Sequence, residues 1–156
     1  MIIIGIDPGL NHTGYGLVEI QKEKIRALDY GCIDNKISDS LPEKIKKIHF
    51  ELCALIKTFS PQELVIEEIF FSKNTRSAIN VGKVFGAVAL TAALLGIDLF
   101  EYTPLQVKQA VVGYGRASKY QIQEMVKVLL SLTAIPNSEH AADALAVVIC
   151  HIHTRY

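Results

Sequence analysis

The first apolar run of the chain ends on a charge. Residues 2–7 read Ile-Ile-Ile-Gly-Ile-Asp, and Pro8-Gly9 then breaks the run. Such a density of isoleucine predicts a buried strand. Asp7 then lies at its carboxyl end, where an isolated carboxylate is costly to bury. Two readings account for it. Asp before Pro-Gly opens an Asx turn, or Asp7 is one member of a polar site assembled at the strand's end.

The segments that follow restrict the fold. Residues 13–20 and 24–33 are rich in Val, Ile, Tyr and Thr, and predict two more strands in an antiparallel meander. Leu41, Ile45, Ile48, Leu52, Leu55 and Phe59 recur at spacings of three and four, the stripe of an amphipathic helix. Glu-Leu-Val-Ile-Glu-Glu-Ile, residues 63–69, predicts a short buried strand. Residues 74–95 predict a long helix that is apolar on more than one face, and residues 96–103 another strand. Helices are expected over 104–111, 119–131 and 139–153, the last started by Pro136-Asn137-Ser138. The order implies an α/β fold. Its five-stranded mixed sheet has three antiparallel strands, then two reached by helical crossovers, with helices on its flanks. A chain of 156 residues is expected to form one domain, 1–156.

Charge narrows the possible partners. The chain carries 16 basic and 16 acidic side chains. Residues 1–72 hold 8 basic and 11 acidic groups, whereas residues 73–127 hold 7 basic and 3 acidic. A basic middle beside acidic flanks suits a polyanion bound over cations held by carboxylates, although a solvated surface reads the same way. Cys32, Cys53 and Cys150 are far apart and show no CxxC spacing, which supports neither a disulfide framework nor a zinc site. Asp7 and Pro8 interrupt the first apolar run. The apolar segments around 84–97 and 141–152 are shorter than the roughly 20 residues a bilayer span needs. A soluble, cytoplasmic protein is expected.

Asp7 has potential company. Glu67 and Glu68 close the second buried strand, and Asp143 is the charge in an otherwise apolar helix, with His140 three residues before it on the same face. Each alone has an ordinary explanation: solvated strand-end glutamates, a helix-dipole aspartate, a capping histidine. Converging, they form the oxygen-rich set that holds hard divalent cations.

Four stretches in order, "GIDPGLNHTGYG", "IEEIFFSKN", "YTPLQVKQAVVGYGRASKYQIQEMV" and "HAADALAVVICH", resemble the RuvC family of Holliday junction resolvases. The likeness runs from Ile4 to about His153. It implies a ribonuclease H-like fold, a homodimer, and cleavage of four-way DNA junctions with divalent metal. By motif position, the catalytic and metal-binding residues are Asp7, Glu67, His140 and Asp143. Some family members have aspartate where this chain has His140. The resemblance also implies DNA repair and recombination as the setting, with the RuvA and RuvB branch-migration proteins as partners. Lysines matching Lys108 and Lys119 handle the junction in the family, and Phe70 matches an aromatic that stacks at the crossover.

A two-ion mechanism follows as an expectation. Asp7 bridges two Mg²⁺ ions, Glu67 and Asp143 hold one each, and His140 binds a metal or orients the water; its nitrogen also makes Mn²⁺ acceptable. Lys73, Arg76, Lys83, Lys108, Arg116 and Lys119 track phosphates, and Glu68 points to the opposite face. The helix over 74–95, with Gly82 and Gly86, serves as a dimer interface or as a core helix. Three alternatives stand beside this reading. They are an actin-like phosphate loop, a related nuclease of ribosomal RNA precursors, and a non-catalytic junction-binding module.

Overall fold

Strand β1 (Ile2–Asp7) is the middle strand of a five-stranded sheet, as its apolar composition requires. The structure is a computed structural model that describes all residues except Glu23 and 69–74, and only the backbone of 75–77. On one side β1 pairs antiparallel with β2 (His12–Gln21), which pairs antiparallel with β3 (Lys24–Asp34). On the other side it pairs in parallel with β4 (Glu63–Glu67), and β4 with β5 (Asp98–Tyr102). The order β3-β2-β1-β4-β5 is the mixed sheet expected, with the parallel strands reached through α1 (Leu41–Phe59) and α2 (Thr75–Leu95).

Strand alternation divides the core in two. Ile4, Ile6, Leu17, Leu64 and Ile66 pack with Ile48, Leu52, Val84 and Val88 of α1 and α2. Ile3, Val18 and Val65 face the other way. There they meet α3 (Pro104–Val112), α4 (Lys119–Leu129) and α5 (Glu139–Arg155). Because the side-chain period is two, Gly5 and Asp7 share the face of Ile3, and Glu67 shares the face of Val65. α5 is buried along most of its length and crosses β1 and β2 closely. Gly5, Gly14 and Gly16 permit this: a Cβ at Gly5 would overlap the Ala144 carbonyl and Val148, one at Gly14 the His140 carbonyl, and one at Gly16 Leu145.

Local signals set the helix ends. Thr103 caps α3 by accepting from the Gln106 N–H, Pro104 follows at the first turn, and Gly113 closes the helix at φ +85°. Ser118 caps α4 and Ser138 caps α5 in the same manner. α4 ends at Leu129, two residues before the expected end, because Ser131 takes φ +52°. The apolar stretch in α2 is longer than the sequence reading gave. Ala78–Leu95 is long and apolar enough by length and composition to cross a membrane. In this fold Ala78, Val84, Val88 and Ala92 are buried, while Ile79, Leu90 and Leu94 line an exposed face.

Candidate active site

Five chain segments meet where β1 and β4 end: these two strands, α3, α4 and α5. The last parallel pair along these strands is Ile6 with Ile66, and the next residue on each is an acid, Asp7 and Glu67. α5 crosses over them. His140 Nδ1 lies 2.7 Å from Asp7 Oδ2, with both side chains partly buried. Asp143, one turn further along α5, stands beside a cavity of about 210 Å³ whose lining includes Glu67, Lys108, Lys119 and Asp143.

The acids lie within electrostatic reach of one another. Burial, then the charges of Asp7 and Asp143, push Glu67 up to about 7, against the pull of Lys108 and Lys119. Burial and the charge of Asp7 likewise raise Asp143. His140 is raised chiefly by its hydrogen bond to Asp7. Lys119 bridges Glu139 at 2.9 Å and Asp143 at 3.4 Å. Burial opposes its charge, but the hydrogen bond to Glu139 and the charge of Asp143 outweigh burial, and its pKa is raised.

The donor set fits hard divalent cations. Three half-buried carboxylates that repel one another, with one imidazole, are the ligands such ions prefer, and the ions relieve the repulsion. The tightest three-donor group among the described residues is a different one: His12, Cys32 and Asp34, whose ligand atoms all lie within 4.8 Å of one another.

The expected DNA-contacting residues divide. Lys108 and Lys119 line the cavity. Arg116 is exposed in the loop between α3 and α4. Lys83 is exposed on α2, a helix whose core contacts are with the opposite face of the sheet, and its ammonium reaches Asn80 Oδ1 at 3.4 Å. Phe70 and Lys73 lie outside the described residues, as does the side chain of Arg76. Glu68 is exposed, one residue past the end of β4.

Two neighbours were not singled out from the sequence. Glu139 anchors Lys119; an acid in the first turn of a helix has a dipole role that masks any other. His12 stacks on His140, with ring centroids 5.6 Å apart and planes at 15°. It sits at the start of β2, and no local motif marks it.

Residues 3–151 match the family model of crossover junction endodeoxyribonuclease RuvC. The crossover junction endodeoxyribonuclease RuvC of Alkaliphilus oremlandii is 51% identical over 154 residues, 99% of this chain and 94% of that protein. Its counterpart from Ruminiclostridium cellulolyticum is 52% identical over 151 residues, 97% and 91% of the two. Among solved structures, T. thermophilus RuvC in complex with a Holliday junction substrate superposes with a TM-score of 0.93 at 34% identity, covering 99% of this chain and 94% of that one.

Proposed function

The chain belongs to the RuvC family of crossover junction endodeoxyribonucleases, and we propose that it resolves four-way DNA junctions by paired, symmetric nicks made at the carboxylate cluster around Asp7. Its fold is ribonuclease H-like, and it is a nuclease of DNA recombination and repair. The reading as a nuclease of ribosomal RNA precursors gives way to relatives about half identical over nearly the whole chain. One observation carries the proposal: Glu67 and Asp143, remote in sequence, line one cavity with Lys108 and Lys119, and the charge of Asp7 bears on both acids.

Divalent metal dependence is general to this family. Bound ions supply an activated water and neutralise charge on the departing oxygen. We assign two Mg²⁺ per site, with Mn²⁺ accepted, to Asp7, Glu67, Asp143 and His140. Asp7 would be the acid placed to serve more than one ion, since its charge bears on both Glu67 and Asp143. His140 holds the Asp7 carboxylate through Nδ1, which leaves Nε2 for an ion or the attacking water. Lys119 neutralises Asp143 and Glu139 before DNA arrives, and with Lys108 it offers positive charge to the scissile phosphate. Arg116, Lys73, Arg76 and Lys83 are proposed to follow the junction arms, and Phe70 to stack at the crossover.

Two nicks related by a two-fold axis need two such sites, so the active form is a homodimer. The exposed Ile79, Leu90 and Leu94 of α2 supply an apolar face for it. The whole chain acts as one domain, in the cytoplasm beside the chromosome, with RuvA and RuvB delivering the junction. The test is cleavage of a synthetic four-way junction, linear duplex and structured RNA, with and without Mg²⁺. Symmetric nicks in the junction alone, dependent on Mg²⁺, are expected. Junction binding with no cleavage at any divalent ion overturns the assignment.

A further inference from the structure

The edge of the sheet beside the catalytic cluster carries a second, chemically different set of ligands. His12 opens β2 and pairs directly with Asp34 at the end of β3. Cys32 lies two residues before Asp34, so it projects from the same face of β3. One nitrogen, one sulfur and one oxygen donor therefore converge, all within 4.8 Å of each other. His12 Nδ1 is 2.8 Å from Asp34 Oδ1. The His12 and Asp34 side chains are 56% and 66% exposed, so an ion can enter from solvent and keep a water as its fourth ligand.

We propose that His12, Cys32 and Asp34 form a site for a borderline-soft transition-metal ion, zinc in particular, separate from the carboxylate centre around Asp7. The donor types make the distinction. A thiolate with an imidazole selects zinc-like ions, whereas Mg²⁺ requires oxygen ligands in octahedral array. Small adjustments suffice for binding. The ion takes the place of the proton between His12 Nδ1 and Asp34 Oδ1, which moves to Nε2 or leaves to solvent so that the bound imidazole is neutral with its proton on Nε2, and Cys32 releases its thiol proton to solvent. The absence of a CxxC spacing hid the site from sequence reading, because strand pairing brings positions 12, 32 and 34 together. Burial, then Asp34 beside it, push the Cys32 thiol up to about 12, and a cation between them reverses that repulsion. Occupancy clamps β2 to β3 at the end where His12 stacks on His140, and so stiffens the ring that holds Asp7.

The test uses Co²⁺ as a spectroscopic stand-in for zinc, added to the full chain in excess Mg²⁺ so that the carboxylate centre is filled. One equivalent should give a thiolate-to-cobalt charge-transfer absorption that Zn²⁺ abolishes. Cys32→Ser should remove the band, whereas Cys53→Ser and Cys150→Ser should retain it. His12→Ala and Asp34→Asn should weaken binding by about tenfold or more, since even the supporting partners of a ligand are worth that much. Circular dichroism of each variant verifies the fold. No band in the parent protein, or a band that survives Cys32→Ser, overturns the proposal. Cys53, beside His49, is the control that would expose a different thiol site.

Discussion

His140 Nδ1 lies 2.7 Å from Asp7 Oδ2, joining two residues 133 positions apart. The contact ties the end of the central strand to the first turn of the last helix, and the proposed ion site depends on it. Asp7→Asn keeps the shape and the hydrogen-bond capacity but removes the charge. Junction binding should persist, and cleavage should fall by at least about 10²-fold, because losing a charged ligand forfeits several kcal/mol of the charge stabilisation that bound metal supplies. Gel-shift and nicking assays on the same preparation check this; full cleavage in Mg²⁺ removes Asp7 from the site.

The close crossing of α5 over β2 makes a second prediction. A Cβ at Gly14 would overlap the His140 carbonyl oxygen, which is backbone and cannot rotate away. Gly14→Ala should displace the start of α5 and cost about 1–3 kcal/mol, as overpacking does. It should also slow cleavage, because the displaced residue is the one that holds Asp7. Urea unfolding together with single-turnover nicking separates the two effects. A variant as stable and as active as the parent contradicts the packing.

Much of this was legible in the residues, for physical reasons. The apolar runs of β1 and β4 marked two buried strands, each with an acid at its carboxyl end, Asp7 and Glu67, and Pro136-Asn137-Ser138 marked the start of α5. The fully buried His151 was not legible. It lies 2.8 Å from the Tyr102 hydroxyl and 2.7 Å from Glu63 Oε2, so its polarity is satisfied by partners 49 and 88 residues away. The same limit applies to His12 and Cys32, which gain significance only through strand register. The glycines at 5, 14 and 16 read as strand weakeners in isolation. Their purpose appears once a helix backbone is laid on them.

Crowded acids give the metal-free protein an unusual pH dependence. Glu67 is raised to about 7, so the folded state holds its proton more tightly than the unfolded state does. That stability is complete below the ordinary glutamate pKa and is lost as pH rises toward 7. Asp143 shifts in the same direction. His140, raised by Asp7, contributes stability that is likewise lost as pH climbs through its folded pKa. In chelator, stability should therefore fall between about pH 4.5 and pH 7, by an amount on the order of 1–3 kcal/mol, and the melting temperature should fall with it. Saturating Mg²⁺ should restore it, more at the upper pH, because protons no longer compete for the carboxylates. Glu67→Gln should flatten much of the slope. A melting temperature that rises with pH in chelator refutes this account.

Lys119 bridges Glu139 and Asp143 while lining the cavity, so its charge acts in two directions. Lys119→Met removes a cation beside the ligands. Free protein should then bind Mg²⁺ more tightly, as measured by calorimetry. Junction binding should weaken, with the slope of log K against log salt reduced by about 1 for the lost phosphate contact. Tighter metal binding paired with poorer cleavage is the outcome that separates a phosphate-facing lysine from one that only braces α5. Unchanged salt dependence would assign Lys119 to the bracing role alone.

The exposed face of α2 bears on the paired nicks. Leu94 is 69% exposed and Leu90 59%, on a helix whose opposite face is fully packed. A leucine pair so exposed is stable in water when a second copy covers it. Leu94→Glu adds charge at a position that makes little contribution to the core, so the protomer should keep its secondary structure. Sedimentation should change from dimer to monomer at micromolar concentration, and the stability should lose its dependence on protein concentration. Junctions treated with the variant should accumulate single nicks, since the two cuts would no longer be made within one complex. A dimeric Leu94→Glu protein that still nicks both strands in concert places the interface on another surface and leaves the apolar face of α2 without this role.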